Sequence, residues 1–468
     1  MDLNFTFQFQ DWLFLPFFVI SYLVYLLVKA TRFRNSWIVI ASYVFYGAMN
    51  PYYLILITYA TIVDYLITWF MENSSQKRLW VTLSIINNVG LIAFFKYVKF
   101  ITVNVNDLLK TMHLTYEIPL PRDSILSLMP VIGLSFYAFK SLGYVIDCYR
   151  GTIKRERNIM DYAAFVSFFP MLVAGPIERA GNLLAQLKKT PEITRTDIAD
   201  GLSLFIVGLF KKLVLADGFA KLVDPIYKTP GDFSGTALLA ATFIFAWQIY
   251  FDFSGYSDMA RGVGRLFGFK IMLNFNNPYL ATGLSDFWRR WHMSLSFWFR
   301  DYVYIPLGGN RKGSFRTYLN LFATMVISGM WHNPGWNFIT WGAVHGLGSC
   351  ATRAAERSEF YTNRIPKILK QAACFLVVCF AWIFFKAATW ADACIVVKKI
   401  FVSGFSDPRC PLIMVGAILA VWAYQFIYES RFVKIVNWAP VRVALVVVLL
   451  MLTLILAGAG QPFAYAAF

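Results

Sequence analysis

The stretch VALVVVLLMLTLILAGAG (443–460) contains no charged residue. About 20 consecutive apolar residues span a hydrocarbon core of about 30 Å, so this run reads as a membrane-crossing helix. Comparable runs occur near 12–27, 37–49, 53–70, 79–95, 125–146, 202–215, 237–249, 318–330, 372–385 and 412–426. Several are too short or too polar for straight, lipid-facing helices. The composition agrees: of 468 residues, 58% are hydrophobic and only 15% charged, against about 25% charged in soluble domains. The expected fold is an all-α polytopic membrane protein with about 11 spans.

The first apolar run follows acidic, uncharged and aromatic residues, not a basic segment, and no small-residue cleavage site follows it. It therefore reads as a retained span and not a removable signal. Lys29, Arg32 and Arg34 lie just beyond it. Cytoplasmic loops collect Lys and Arg, which places the N-terminus outside the cytoplasm. The net charge of +17 would suggest nucleic acid in a soluble domain. Here it is carried by clusters between spans, such as 154–157, 188–189, 211–212, 289–290, 311–312 and 398–399. These suit topology and anionic lipid headgroups, or a polyanionic cytosolic substrate, and no nucleic-acid partner is expected. The six cysteines show neither metal-ligand spacing nor a disulfide framework, and no metal is expected.

No internal repeat or low-complexity linker divides the chain, which reads as one domain, 1–468. Its stretches are N-terminal spans (1–100), a core (125–348) and C-terminal spans with an aromatic tail (368–468). In the core, apolar segments are interrupted by Gly, Pro, Asp, Arg and His. Broken, polar-studded segments at membrane depth are tolerated only inside protein or beside a cavity, so the chemistry is expected there. The connector 179–200 reads as polar and helical, with Pro191 marking a helix start.

Within the core, ISGMWHNPGWNF (327–338) places His332 at the end of an apolar helix, immediately before Asn333-Pro334-Gly335. A residue before proline is pushed out of the helical region, so backbone groups freed beside Asn333 make a polar pocket for the imidazole. Ionisable residues at such depth are rare and usually functional, and an imidazole suits a general base. His113 falls in a polar loop, and His345 reads as structural.

The segment SDFWRRWHMSLSFWFRDYVY (285–304) reads as one helix. Ser285, Arg289, His292 and Ser296 form one stripe, and Trp288, Leu295, Phe299 and Tyr302 the next. It is either an interfacial amphipathic helix or a cavity wall presenting Arg289 and His292. The turn that follows, IPLGGNRK, exposes backbone N–H groups beside Arg311 and Lys312, where an anion can sit. Asp252 and Asp258 lie among aromatics and need cationic partners, for which Arg261 and Arg289 are candidates. The Pro-bracketed segment 169–179 is too short to span and reads as re-entrant.

Four ordered motifs, FFPMLVAGPIER (168–179), YFDFSGYSDMA (250–260), FWRRWHMSLSFWFRDYVYIPLGGNRKG (287–313) and SGMWHNPGWNFITWGAVHG (328–346), resemble the membrane-bound O-acyltransferase (MBOAT) family. They are most similar to its alginate and peptidoglycan O-acetylation branch. The resemblance implies a helical shell with broken and re-entrant helices around a central funnel or tunnel in a bacterial cytoplasmic membrane. It implies His332 as catalytic histidine and His292 as the second active-site residue. Acetyl-coenzyme A would be a donor substrate rather than a tightly bound cofactor, its phosphates met by Arg289, Arg290, Arg311 and Lys312. Asp252, Asp258 and Asn333 would form a structural polar core. A periplasmic SGNH-hydrolase-like acetyltransferase would complete transfer to an extracytoplasmic glycan. The tail QPFAYAAF (461–468) resembles the family's FxYxxF motif, with Tyr465 as a transient acyl carrier or, alternatively, an interfacial anchor. Two other readings remain open at this point: D-alanyl transfer to teichoic acid, and a membrane channel or transporter.

Overall fold

The computed structural model describes residues 7–120, 131–402, 412–430, 433–436 and 438–458. Every regular element among them is helical. Two compact units are formed, one from Met1–Leu202 with Ala260–Met272, the other from Ser203–Met259 with Leu273–Ala464.

The first unit begins with α1 (Phe14–Val28), α2 (Arg34–Gly47) and α3 (Tyr52–Asn73). It continues through α4 (Lys77–Ile92), a π-helical turn and α5 (Val98–Thr111). Next come α6 (Leu134–Arg150), α7 (Ile159–Ser167), α8 (Ala180–Leu187) and the start of α9 (Arg195–Phe210). Arg34, counted in the sequence among the loop charges, is 7% exposed. Its guanidinium donates to the carbonyls of Leu187 and Lys189, capping the unsatisfied C-terminal end of α8. Pro191 does not start a helix. The helix begins after Thr194, whose hydroxyl accepts from Asp197 N (3.1 Å) while Asp197 Oδ2 accepts from Thr194 N (3.1 Å). This reciprocal cap satisfies two N-terminal donors and outcompetes the proline as a start signal. The Thr194 hydrogen bonds also hold the Asp197 carboxyl below its ordinary range, with Arg265 assisting.

The 168–178 segment is buried throughout and, apart from a 3-10 turn at Phe169–Met171, is not helical. Gly133 (φ +82) lets it approach, since a Cβ there would lie 2.4 Å from the Leu172 carbonyl oxygen.

The second unit takes in the rest of α9, α10 (Asp217–Lys228) and most of α11 (Gly235–Leu266). The short α12 (Leu284–Trp288) and α13 (Met293–Phe299) follow, then α14 (Gly313–His332) and α15 (Trp336–Ala355). It is completed by α16 (Lys367–Lys386), α17 (Trp390–Val402), α18 (Leu412–Tyr428), α19 (Val433–Val436) and α20 (Ala439–Leu456). Helix α11 runs well past the apolar stretch 237–249, through Asp252 and Asp258. It does so because these acids have buried partners.

Those partners include two lysines that the sequence reading did not name. Lys212 is paired with Asp252 (2.8 Å) and Asp217 (2.9 Å), and Lys211 with Asp258 (2.7 Å). Lys211–Ala216 is a π-helix, whose wider turn displaces these side chains from the α-helical register. Lys212 is 2% exposed. A dilysine that reads as a surface charge cluster is thus an internal counter-ion.

Helices α14 and α15 form a hairpin with unusually close backbones. A Cβ on Gly329 would lie 2.3 Å from the Phe338 carbonyl oxygen, and one on Gly342 2.5 Å from that of Met325. Small residues at such crossings let helices pack by van der Waals contact where the hydrophobic effect is absent. By contrast α20 has 6% of its span buried, leaving its apolar surface for lipid. Among the described residues, five helices are long and apolar enough to cross a membrane.

Gly342→Val should drive its side chain into the Met325 carbonyl and lower the thermal midpoint in detergent. A loss of about 1–3 kcal/mol is expected for such overpacking. Gly90→Ala, where a Cβ meets nothing within 4 Å, is the control and should leave the midpoint unchanged.

Candidate active site

The break expected at Asn333 is present. Helix α14 ends at His332, Asn333 is extended (φ −158, ψ 150), and α15 starts at Trp336. Asn337 Nδ2 donates to the Ala387 carbonyl at the end of α16 (2.9 Å), tying the hairpin to that helix. His332 is 3% exposed. The rings of Trp331 (4.9 Å), Trp341 (4.9 Å) and Phe385 (5.3 Å) meet it edge-to-face.

Segment 285–304 is not the single helix its periodicity suggests. It comprises α12, a break, α13 and a π-turn at Arg300–Tyr304. The break is at His292, which adopts the left-handed conformation (φ 40, ψ 53). That costs a non-glycine residue about 1–3 kcal/mol and persists only where surroundings over-determine it. The surroundings here are the extended chain around Asn274. Met293 N donates to the Asn274 carbonyl (2.9 Å) and Asn276 N to the Arg290 carbonyl (2.8 Å). Asn274 Oδ1 accepts from Ser294 Oγ (2.9 Å), and Asn274 Nδ2 donates to Ser257 Oγ (3.2 Å). The kink takes His292 off the stripe shared with Arg289 and buries it completely, edge-on to Phe253 at 4.6 Å.

Trp331 joins the two histidines: its ring centroid lies 6.2 Å from His292 and 4.9 Å from His332. His345, on α15, enters the same aromatic layer through Trp341 (4.7 Å), and it stacks on Phe287. His113 is exposed at the end of α5. Trp331, Trp341, Phe385 and Asn274 were not singled out from sequence. Trp331 was detectable as the neighbour of His332. Nothing local marks Asn274, whose partners are distant in the chain.

The predicted phosphate-binding residues divide. Arg289, Arg311 and Lys312 are exposed, the last two at a turn where Gly308 (φ +114) and Gly309 (φ +54) supply the left-handed backbone. Arg290 instead bonds Asp286 (3.0 Å) and Glu429 (2.6 Å). Tyr465 lies outside the described residues. No cluster of His, Cys, Asp and Glu suited to a metal occurs among the described residues.

Five helices apolar and long enough to cross a membrane, with His332 buried at a helix end and His292 at a backbone kink, describe an integral membrane protein with a buried polar site. Residues 152–389 match the model of the membrane-bound O-acyltransferase family. The chain is 38% identical to a probable alginate O-acetylase of Pseudomonas aeruginosa, over 80% of this chain and 70% of that one. It is 35% identical to a peptidoglycan O-acetyltransferase of Helicobacter pylori, over 82% and 77% respectively. It is also 31% identical to a teichoic acid D-alanyltransferase of Streptococcus thermophilus, over 52% and 61%. The chain belongs to the membrane-bound O-acyltransferase family. It is a multi-pass membrane protein and an O-acetyltransferase.

Asn274→Ala would leave Ser294 and Ser257 without their shared partner and release the backbone that holds His292. A stability loss of about 1–3 kcal/mol is expected, read as a lowered thermal midpoint. At temperatures where the variant is folded, acyl transfer should still fall more than it does in Asn73→Ala, a control whose exposed side chain bonds only the Trp69 carbonyl of its own helix.

Proposed function

We propose that the protein takes an acetyl group from cytosolic acetyl-coenzyme A and passes it across a bacterial cytoplasmic membrane for O-acetylation of an extracytoplasmic polysaccharide. The observation that carries this reading is the convergence of His332 and His292 on Trp331 within one buried aromatic layer. Aromatic walls exclude water, which would otherwise hydrolyse a thioester. His332 accepts the proton of the attacking hydroxyl as its oxygen bonds to the acetyl carbonyl carbon. The carbon–sulfur bond then breaks, and the departing thiolate recovers that proton from the imidazolium. His292, locked by its backbone, positions the reacting groups. Arg289, Arg311 and Lys312 receive the phosphates of the donor by charge-assisted hydrogen bonds. Arg290 joins them only if it releases Asp286 or Glu429.

The acceptor class rests on relatives named for alginate and peptidoglycan. Since the acetyl-CoA phosphates cannot cross hydrocarbon and the glycan lies outside, only the small acyl group need pass. Tyr465 would carry it as a phenyl ester to a periplasmic SGNH-hydrolase-like partner. The N-terminus lies outside the cytoplasm, following Lys29 and Arg32. The similarity to a D-alanyltransferase supports a second reading, in which the donor is a D-alanyl-loaded carrier protein.

Purified protein in nanodiscs, given radiolabelled acetyl-coenzyme A, should retain label or turn over thioester. His332→Ala should lose about 10²–10⁴-fold in rate, the usual contribution of a general base. Wild-type protein that is inert with acetyl-coenzyme A but active with a D-alanyl carrier would establish the second reading instead. With the partner and glycan added, Tyr465→Phe should abolish glycan acetylation. Unchanged acetylation by folded variant would eliminate the carrier role.

A further inference from the structure

Asp64, on α3, is fully buried, as are Ser84 and Asn88 on α4, Ser141 on α6 and Tyr162 on α7. Its Oδ1 accepts from Ser84 Oγ (2.7 Å), and its Oδ2 accepts from Asn88 Nδ2 (2.9 Å) and from Ser141 Oγ. Ser141 Oγ is itself hydrogen-bonded to Tyr162 OH (2.6 Å). Every one of these partners is neutral, and no lysine, arginine or histidine among the described residues bonds to the carboxylate. A buried carboxylate without compensating charge is among the costliest groups a fold can carry. The other buried acids show the usual solution: Asp252 and Asp217 share Lys212.

A second observation concerns the same amide. Asn88 Nδ2 is committed to Asp64 and to the Ser84 carbonyl (3.0 Å), whereas the buried Asn88 Oδ1 has no donor among the described residues. With Asp64 ionised, the cluster is in excess by one negative charge and one acceptor. Both deficits are met together by a small cation. The atoms available to it are the Asp64 carboxylate, Ser84 Oγ, Ser141 Oγ and Asn88 Oδ1. Oxygen-only ligands select hard ions over transition metals, and a single carboxylate suits one positive charge better than two.

We propose that Asp64, Ser84, Asn88 and Ser141 form a binding site for a monovalent cation, sodium in the first instance, that joins α3, α4 and α6. The site is independent of the acyl-transfer chemistry. An ion that binds only the folded protein stabilises it in a saturable way. Full-length protein in nanodiscs, melted at fixed ionic strength in sodium chloride or choline chloride, should be more stable in sodium, with a defined midpoint concentration. Asp64→Asn keeps the shape and removes the charge, and it should abolish the sodium response. Should that variant not fold, Ser84→Ala and Asn88→Ala each retain the charge and remove one ligand oxygen. Each should move the midpoint to higher sodium by about tenfold, the effect of about 1.4 kcal/mol in binding. Equal melting of wild type in sodium and choline would overturn the proposal. So would stabilisation by acid alone, which would show a proton in the site, or a sodium response that survives in Asp64→Asn.

Discussion

The contact on which the active-site region depends is the backbone-to-backbone approach of α14 and α15. Glycines at 329 and 342 bring each helix to within a Cβ's width of the other's carbonyls. A hairpin this tight allows no slack at its turn, and Asn333-Pro334-Gly335 supplies one that ends α14 abruptly. His332 is consequently held at a helix terminus, where the backbone is free of the i→i−4 ladder, with Trp341 of the opposing helix against its ring. His345, a turn further along α15, shares that tryptophan. The separation of the two histidines in sequence is thus closed by a fold of the hairpin and not by a helical repeat.

A second constraint is the placement of charge. Lys212 with Asp252 and Asp217, Lys211 with Asp258, and Arg34 with two backbone carbonyls are all cations taken inward. Each closes a local deficit, either carboxylates on α10 and α11 or the open C-terminus of α8. In a medium that cannot solvate such groups they must be matched side by side. Matching of this kind ties the π-turn after α9 to α10 and α11, and α2 to α8, more specifically than apolar packing does. The strained backbone at His292 has the same character, since the Asn274 segment and α13 hold it from both sides.

Much of the core was legible in the sequence. The break at Asn333, the burial of His332 and the glycine turn before Arg311 all follow from local backbone chemistry. The period of 285–304 suggests one helix, whereas the chain kinks at His292. An apolar–polar period of 3.6 persists across a one-residue left-handed kink, because the pattern records which residues are apolar and not the dihedral between them. Pro191 misled similarly: a proline permits a helix start, but the Thr194–Asp197 cap determines where it is. The lysine partners of Asp252 and Asp258 were hidden by their position in a charged pair beside an apolar run. Only the π-turn reveals that they face inward.

By itself the sequence determined the solvent and the class of fold. The count of apolar residues exceeds what a water-soluble surface can hold, and uncharged runs of bilayer length can satisfy their backbone only as helices. It also determined the break at Asn333-Pro334-Gly335 and the turn at Gly308-Gly309, since proline and glycine constrain the backbone where they stand. The tertiary structure alone decided which side chains meet: Trp331 between His292 and His332, Lys212 between two aspartates, and Asp64 among hydroxyls from separate helices. The reason is one of range. Backbone preferences act over a few residues and can be read in order, whereas contact between side chains far apart in the chain depends on how whole helices pack, which no local pattern encodes.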